Sequence, residues 1–261
     1  MINLWESNIP GFDLSIDQKA PNITPYLVKT AKPCGAVIVC PGGGYWGKAE
    51  HESAPIAHWL NNAGISAFVL DYRVAPYKHP YPMLDAQRAI RMVRYHASKW
   101  NILPDKIGML GFSAGGHLTS TAGTHFDFGS PQASDPVEQT SCRPDAMVLC
   151  YPVISFHKYR HIGSMVALLG ERSPKDLRML LSNETQVTPQ TPPTFIWHTA
   201  NDDGVPVGNS LLFAGALSKH HVPFELHVFP AGAHGLGLAI HDPVVSQWTG
   251  LCATWLKGMG F

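Results

Sequence analysis

Six segments of strand length, most of them apolar runs, separated by segments with helical spacing, limit this chain more than any other feature. They are residues 35–40, 65–70, 106–110, 146–151, 194–198 and Phe224–Phe229. The first, Gly-Ala-Val-Ile-Val-Cys, has no polar alternation at all. A strand with one solvated face alternates, so an unbroken run predicts burial on both faces, as in a parallel sheet covered by helices. The segments between the runs supply those helices. Residues 50–62 carry Ile56, Ala57 and Leu60 at helical spacing, with Gly64 as the stop. A longer helix is predicted over about 83–100, turning Leu84, Ala86, Ile90, Val93 and Ala97 toward the core. Two more follow at 207–220 and 244–257. Strands alternating with helices in this way predict right-handed crossovers and an α/β fold, a doubly wound, mostly parallel sheet flanked by helices.

The remaining segments break the rhythm. Residues 1–33 are rich in Pro, Asn and Asp, with 26–28 expected as an edge strand. Residues 126–144 are polar and turn-rich, as a surface loop would be. Residues 152–193 hold two short helical stretches, about 164–169 and 174–181, in polar, Pro-rich sequence. With few apolar residues of their own, they are expected to form a small cap-like insertion over one end of the sheet. The length of 261 residues then suits a single domain spanning 1–261.

Formal net charge is zero, so nothing in the charge balance calls for nucleic acid or an anionic membrane as partner. No apolar segment is long enough to span a bilayer. The start, Met-Ile-Asn-Leu-Trp-Glu, lacks the basic region and apolar run of a signal peptide. The five cysteines are odd in number and scattered, two of them (Cys40 and Cys150) inside strand-like runs where a thiol packs as a small hydrophobe. These features together predict a reducing, cytoplasmic setting.

Sites in open parallel sheets form at the carboxyl ends of the strands. One such end carries Gly111-Phe-Ser-Ala-Gly-Gly116, with residues 117–122 able to open a helix. A serine between glycines at a strand-to-helix junction is the pattern of a nucleophile elbow: the turn admits only small neighbours and lifts Oγ clear of the sheet. Three further strand ends carry Gly42-Gly43-Gly44, Asn201-Asp202-Asp203 and Ala233-His234-Gly235. Backbone amides of the glycines can approach a reacting carbonyl oxygen. The order Ser, Asp, His along the chain is that of a nucleophile, an orienting acid and a general base on this kind of sheet.

Across these blocks the sequence resembles the α/β-hydrolase esterases, in particular the acetylesterase, acetylxylan-esterase and feruloyl-esterase-like group. The matching blocks include Pro41-Gly-Gly-Gly-Tyr45, His51-Glu-Ser-Ala-Pro-Ile-Ala57, Asp71-Tyr-Arg73, the elbow, Tyr151-Pro-Val-Ile-Ser155, His198-Thr-Ala-Asn-Asp202 and residues 229–237. Relatives of the hormone-sensitive-lipase type have His before the three glycines, where this chain has Pro41. The resemblance implies Ser113 as nucleophile, His234 as base and Asp202 as orienting acid, three residues before the Val of Val205-Pro206; Asp203 is the alternative. It also implies an oxyanion hole from the amides of Ala114, Gly43 and Gly44. Tyr45 and Trp46 either wall the substrate pocket or anchor the loop. His51-Glu52 either buttresses the oxyanion loop or begins a helix.

Other residues have simpler readings. Asp71 is expected in an internal ion pair or turn. Asp85 is expected at a helix start, where a carboxylate meets the helix dipole, and His117 is expected to pack. His157 and His161 have the spacing of two metal ligands, but no third ligand completes a motif, so neither metal nor cofactor is expected. The activity the resemblance implies is a serine carboxylesterase on short acyl, above all acetyl, esters of small molecules, with acetylated oligosaccharides as the implied carbohydrate substrates. An arylformamidase or small peptidase would use the same triad. A ligand-binding protein on a hydrolase scaffold is the third reading, since fold does not fix function.

Overall fold

A computed structural model describes all residues, 1–261. Eight strands form one sheet: β1 (Ile2–Asn3), β2 (Asn22–Tyr26), β3 (Cys34–Cys40), β4 (Ser66–Asp71), β5 (Ile102–Phe112), β6 (Ala146–Cys150), β7 (Thr194–Thr199) and β8 (Phe224–Phe229). Their order is β1-β2-β4-β3-β5-β6-β7-β8. Strands β3 to β8 run parallel, and β2 is antiparallel to β4, with β1 antiparallel to β2. The expected edge strand at 26–28 therefore lies four residues earlier and is not the edge. Ile2 pairs with Ile23 outside it, and the Val28 amide has already left the ladder to donate to Ser66 Oγ at 3.2 Å.

Seven helices flank the sheet: α1 (Ala54–Asn62), α2 (Tyr81–Tyr95), α3 (Ala114–Thr124), α4 (Ile162–Leu169), α5 (Lys175–Leu180), α6 (Gly208–Lys219) and α7 (Trp248–Gly258). The unbroken apolar runs are explained by the two faces. In β3, Ala36, Ile38 and Cys40 enter the core beneath α2 and α3, while Val37 and Val39 enter the core beneath α1 and α7. In β6 and β7, Val148, Cys150, Phe195 and Trp197 join that second core, and Met147, Leu149 and Ile196 pack with Phe213 and Leu217 of α6. Both faces are apolar because both are covered.

Helix α2 departs from expectation at both ends. It stops at Tyr95, and a separate 3-10 turn, Ser98–Trp100, leads to Asn101 in the left-handed region (φ 56°). Leu84 is only half-buried, whereas Ala86, Ile90, Val93 and Ala97 are in the core. Asp85 is not at the helix start. It lies in the second turn, fully buried, and accepts from Arg73 Nη2 at 2.7 Å, Nε at 3.0 and 3.1 Å, and the Arg73 amide at 2.8 Å. The rings of Trp5, Tyr77 and Tyr81 surround that guanidinium. Three further arginines of α2 pin the loop 126–145. Arg88 meets Asp135 and Glu138, Arg91 meets Asp127, and Arg94 meets Asp145, each at 2.6–2.7 Å.

The segment 152–193 is less polar inside than its sequence suggested. Val153, Phe156, Met165, Ala167, Leu168 and Leu181 belong to the same core as β3 and α2. Its buried apolar residues are scattered among polar and exposed ones, Tyr159, Ile162 and Leu180 among the latter, so composition averaged over the stretch concealed the buried face. No helix is long and apolar enough to cross a membrane.

Candidate active site

Ser113 occupies the turn between β5 and α3 with φ 51° and ψ −116°, a conformation that a residue with a Cβ adopts only under constraint. The constraint is visible. Its amide donates to the Cys150 carbonyl of β6 at 3.0 Å, and its carbonyl accepts from the amides of Val153 at 3.0 Å and His117 at 3.1 Å. The flanking glycines are required by close approach: a Cβ on Gly115 would run into the carbonyl oxygens of Cys40 and Pro41, and one on Gly111 into that of Gly115. The elbow thus packs directly against the end of β3, where the glycine loop begins.

His234 Nε2 lies 2.8 Å from Ser113 Oγ, and its Nδ1 lies 2.7 Å from Asp202 Oδ2. The loops after β5, β7 and β8 bring these side chains together across 121 residues of sequence. Of the two neighbouring carboxylates, Asp202 is buried and meets His234, whereas Asp203 is exposed. The Asp202 carboxylate is held firmly: Oδ1 accepts the amides of Gly204 at 2.9 Å and Val205 at 2.8 Å, and Oδ2 also lies 3.3 Å from His198 Nε2. Burial alone would raise its pKa. The hydrogen bonds from His198, His234 and the Val205 amide outweigh burial and hold the carboxyl well below the usual carboxylate range. His198, on β7 and fully buried, opens the matching block that ends at Asp202, but nothing in that block assigns it a role; its Nδ1 pairs with Ser210 Oγ at 2.8 Å.

The glycine loop lies against the elbow: a Cβ on Gly42 would sit 3.1 Å from Ser113 Cβ. Gly43 has φ 132°, and a Cβ there would run into the Gly47 carbonyl. Its own carbonyl accepts from the amides of Trp46 at 3.0 Å and Gly47 at 3.2 Å, closing a turn in which the amides of Gly43 and Gly44 donate to no protein acceptor. Ala114 is the first residue of α3, where amides have no intrahelical partner. Three amides on two adjoining segments are thus free to meet negative charge.

Tyr45 and Trp46 separate. Tyr45 is 1% exposed, and its hydroxyl lies 2.9 Å from Nδ1 of the buried His117. It anchors the loop in the core, so the expectation that it contacts substrate is corrected. The other His117 nitrogen, Nε2, donates to the Leu181 carbonyl at 2.9 Å, and burial pushes its pKa down to about 4. Trp46 is 63% exposed and borders a groove of about 740 Å³. Its other lining residues include Ala75, Lys78, Val166, Leu169, Glu171 and Arg172. Its Cδ1 would lie 3.6 Å from a Cβ on Gly44, so the groove opens beside the glycine loop.

Glu52 ends a 3-10 turn just before α1 and supports the glycine loop, the first of the two readings of His51-Glu52. Its buried carboxylate accepts the Gly42 amide at 2.7 Å and the Tyr151 hydroxyl at 2.6 Å. Tyr151 was missed in the sequence because a tyrosine after a strand is indistinguishable from core. Of the remaining candidates, Asp71 pairs with Lys48 Nζ at 2.7 Å. His161 caps α4, its Nδ1 accepting the Ser164 amide at 3.2 Å. That cap accounts for the position that spacing alone had suggested for a metal ligand.

Residues 26–217 match the BD-FAE family model. The chain superposes on the acetyl ester-xyloside bifunctional hydrolase of Caldicellulosiruptor lactoaceticus with a TM-score of 0.99 and 57% identity, covering 100% of this chain and 96% of that one. It is 39% identical to endo-1,4-beta-xylanase B of Butyrivibrio fibrisolvens over 95% of this chain and 39% of that protein. To the acetylxylan esterase of Xylanibacter ruminicola it is 34% identical, over 87% of this chain and 46% of that one. The chain therefore spans less than half the length of either of these two proteins. With its sheet order, its elbow and a match over most of its length, the chain has the α/β-hydrolase fold and belongs to the BD-FAE family.

Proposed function

We propose that this protein is a serine carboxylic ester hydrolase that removes acetyl groups from carbohydrate esters, with Ser113 as nucleophile, His234 as general base and Asp202 as its orienting acid. The observation that carries the reading is the unbroken chain Ser113 Oγ–His234 Nε2 (2.8 Å) and His234 Nδ1–Asp202 Oδ2 (2.7 Å) at an elbow flanked by free amides. His234 Nε2 takes the hydroxyl proton as Oγ attacks the acyl carbon. The imidazolium is stabilised by the ionised Asp202, whose Oδ2 keeps the Nδ1 proton in place. Negative charge developing on the carbonyl oxygen is met by the amides of Gly43, Gly44 and Ala114. His234 then protonates the departing alcohol, leaving an acyl-enzyme. Water, deprotonated by the same imidazole, attacks the acyl carbon; Ser113 Oγ recovers the proton and the carboxylic acid leaves.

The names of the relatives support acetyl esters of xylan-type carbohydrates as the substrate class. The groove beside Trp46 is suited to the alcohol side, because an indole face with neighbouring Lys78 and Arg172 matches the apolar face and hydroxyl edge of a sugar. We read residues 1–261 as one domain, with 152–193 as part of its core. The five thiols are all free, which supports a reducing setting.

The test is a substrate panel on wild type and Ser113→Ala. Hydrolysis of p-nitrophenyl acetate and acetylated xylo-oligosaccharides is expected, falling with longer p-nitrophenyl acyl chains, and a fluorophosphonate should label Ser113. Retained activity in Ser113→Ala would overturn the mechanism. Turnover of N-formylkynurenine or a proline dipeptide amide above that of the esters would overturn the substrate class.

A further inference from the structure

We propose that Glu52 is a positioning residue that ties the oxyanion loop to the loop carrying the catalytic histidine, so that both halves of the site are aligned by one buried carboxylate. This rests on the functional reading above. The observation behind it is a continuous line of hydrogen bonds between the two loops. The Gly42 amide donates to Glu52 Oε2 at 2.7 Å, the Tyr151 hydroxyl donates to Glu52 Oε1 at 2.6 Å, and the Gly237 amide donates to Tyr151 Oη at 2.8 Å. Gly42 immediately precedes the free amides of Gly43 and Gly44, and Gly237 lies three residues beyond His234.

Each link is made where a weaker one would be lost. Glu52 is 2% exposed, and no arginine or lysine pairs with it. A buried carboxylate is costly unless its lone pairs are filled. Here the two oxygens are filled by one donor from each side of the site. The carboxyl is pushed upward by burial and pulled back by those two donors, with smaller contributions from His51 and His234. Tyr151 is itself constrained. Its backbone has φ 36°, and its ring stands edge-on to His234 at 5.0 Å while packing on Phe112 and Trp197. The tyrosine therefore contacts the base with its ring and the acid that steadies the oxyanion loop with its hydroxyl. A second, outer tie runs parallel: His51 Nε2 donates to the Gly235 carbonyl at 2.9 Å from an exposed position. The indole of Trp248 closes the far end by donating to the Gly237 carbonyl at 3.1 Å.

A residue that only filled space would be replaceable by an isostere without kinetic effect. Glu52→Gln keeps the volume and the acceptor for the Gly42 amide, but its NH2 group forces the Tyr151 hydroxyl to accept where it had donated, so a charge-assisted hydrogen bond becomes a weaker neutral one and the hydroxyl proton loses its acceptor. Tyr151→Phe keeps the ring packing and removes only the hydroxyl that joins the two. Misplacing catalytic groups by about 1 Å costs on the order of a hundredfold in rate. We expect Glu52→Gln to lower kcat by about tenfold to a hundredfold with KM within about twofold. Affinity for a trifluoromethyl ketone, which places an oxyanion in the hole, should fall in step. Tyr151→Phe should show a smaller loss, and the double variant should be little worse than Glu52→Gln alone, because the two act in one line. Wild type and Ser113→Ala are run alongside on p-nitrophenyl acetate. If Ser113→Ala stays active, the functional reading itself fails. If Ser113→Ala is inactive but folded Glu52→Gln and Tyr151→Phe keep wild-type kcat and ketone affinity, only the positioning role is overturned. Should Glu52→Gln fail to fold, Tyr151→Phe carries the test, and unchanged ketone affinity there also overturns it.

Discussion

Replacing Asp202 with asparagine separates the role of its charge from that of its shape. The side chain has the same size, so the loop after β7 has no steric reason to move. The two amides of Gly204 and Val205 already point at Oδ1, at 2.9 and 2.8 Å. They fix which way the carboxamide turns. Its oxygen must stay with them, because the reversed orientation would lose two hydrogen bonds of about 1 kcal/mol each and oppose donors to donors. The NH2 group therefore faces His234 Nδ1, now a donor where the wild type has an acceptor at 2.7 Å. Nδ1 must then be unprotonated, which places the ring proton on Nε2, the atom that should receive the Ser113 proton across 2.8 Å. A base already carrying its proton cannot act. The corresponding change in serine proteases costs about four orders of magnitude in kcat, or about 5.5 kcal/mol at about 1.36 kcal/mol per decade. We expect Asp202→Asn to lose about a thousandfold to ten-thousandfold in kcat on p-nitrophenyl acetate, with near-native circular dichroism. Asp203→Asn, at an exposed position, should stay within about twofold of wild type. Asp202→Asn retaining a tenth of wild-type kcat, or Asp203→Asn losing as much as Asp202→Asn, would refute the reasoning.

Three further outcomes follow from particular contacts. Asp85→Asn leaves the buried Arg73 guanidinium without its counter-charge, and should lower unfolding free energy by about 3–5 kcal/mol in a denaturant titration. A loss under about 1 kcal/mol would show that the aromatic rings alone neutralise the cation. His117 has its folded pKa lowered to about 4 by burial, below an unfolded value of about 6.5. The unfolded chain therefore binds the proton first, and stability should fall as pH drops from about 6.5 to about 4, by roughly 3 kcal/mol. That acid loss should shrink in His117→Gln, and an unchanged pH profile would argue against it. Trp46→Ala should leave p-nitrophenyl acetate turnover nearly intact and raise KM for acetylated xylo-oligosaccharides severalfold, since the exposed indole faces the groove and Tyr45 holds the loop. Equal losses on both substrates would mean that Trp46 supports the loop instead.

Much of the molecule was legible in one dimension because local physics repeats along it. A strand covered on both faces must be apolar at every position, so 35–40, 146–151 and 194–198 identified themselves. Ser113, with glycines on both sides at a strand end, was legible because Gly111 and Gly115 are dictated by carbonyl groups that approach too closely for any Cβ. What could not be read was anything set by a partner distant in the chain. Asp85 resembled a helix-start carboxylate until Arg73 was seen against it. The segment 152–193 looked polar because its core residues are spread thinly among exposed ones. Tyr45 and Trp46 are neighbours of similar type, and only the turn at Gly43–Gly44 sends one ring to His117 and the other to solvent. Glu52 and Tyr151 are 99 residues apart, and nothing in either stretch announces that they share a hydrogen bond. Chain pattern records the environment a residue needs, whereas the identity of the group that supplies it depends on how the sheet brings its strand ends together.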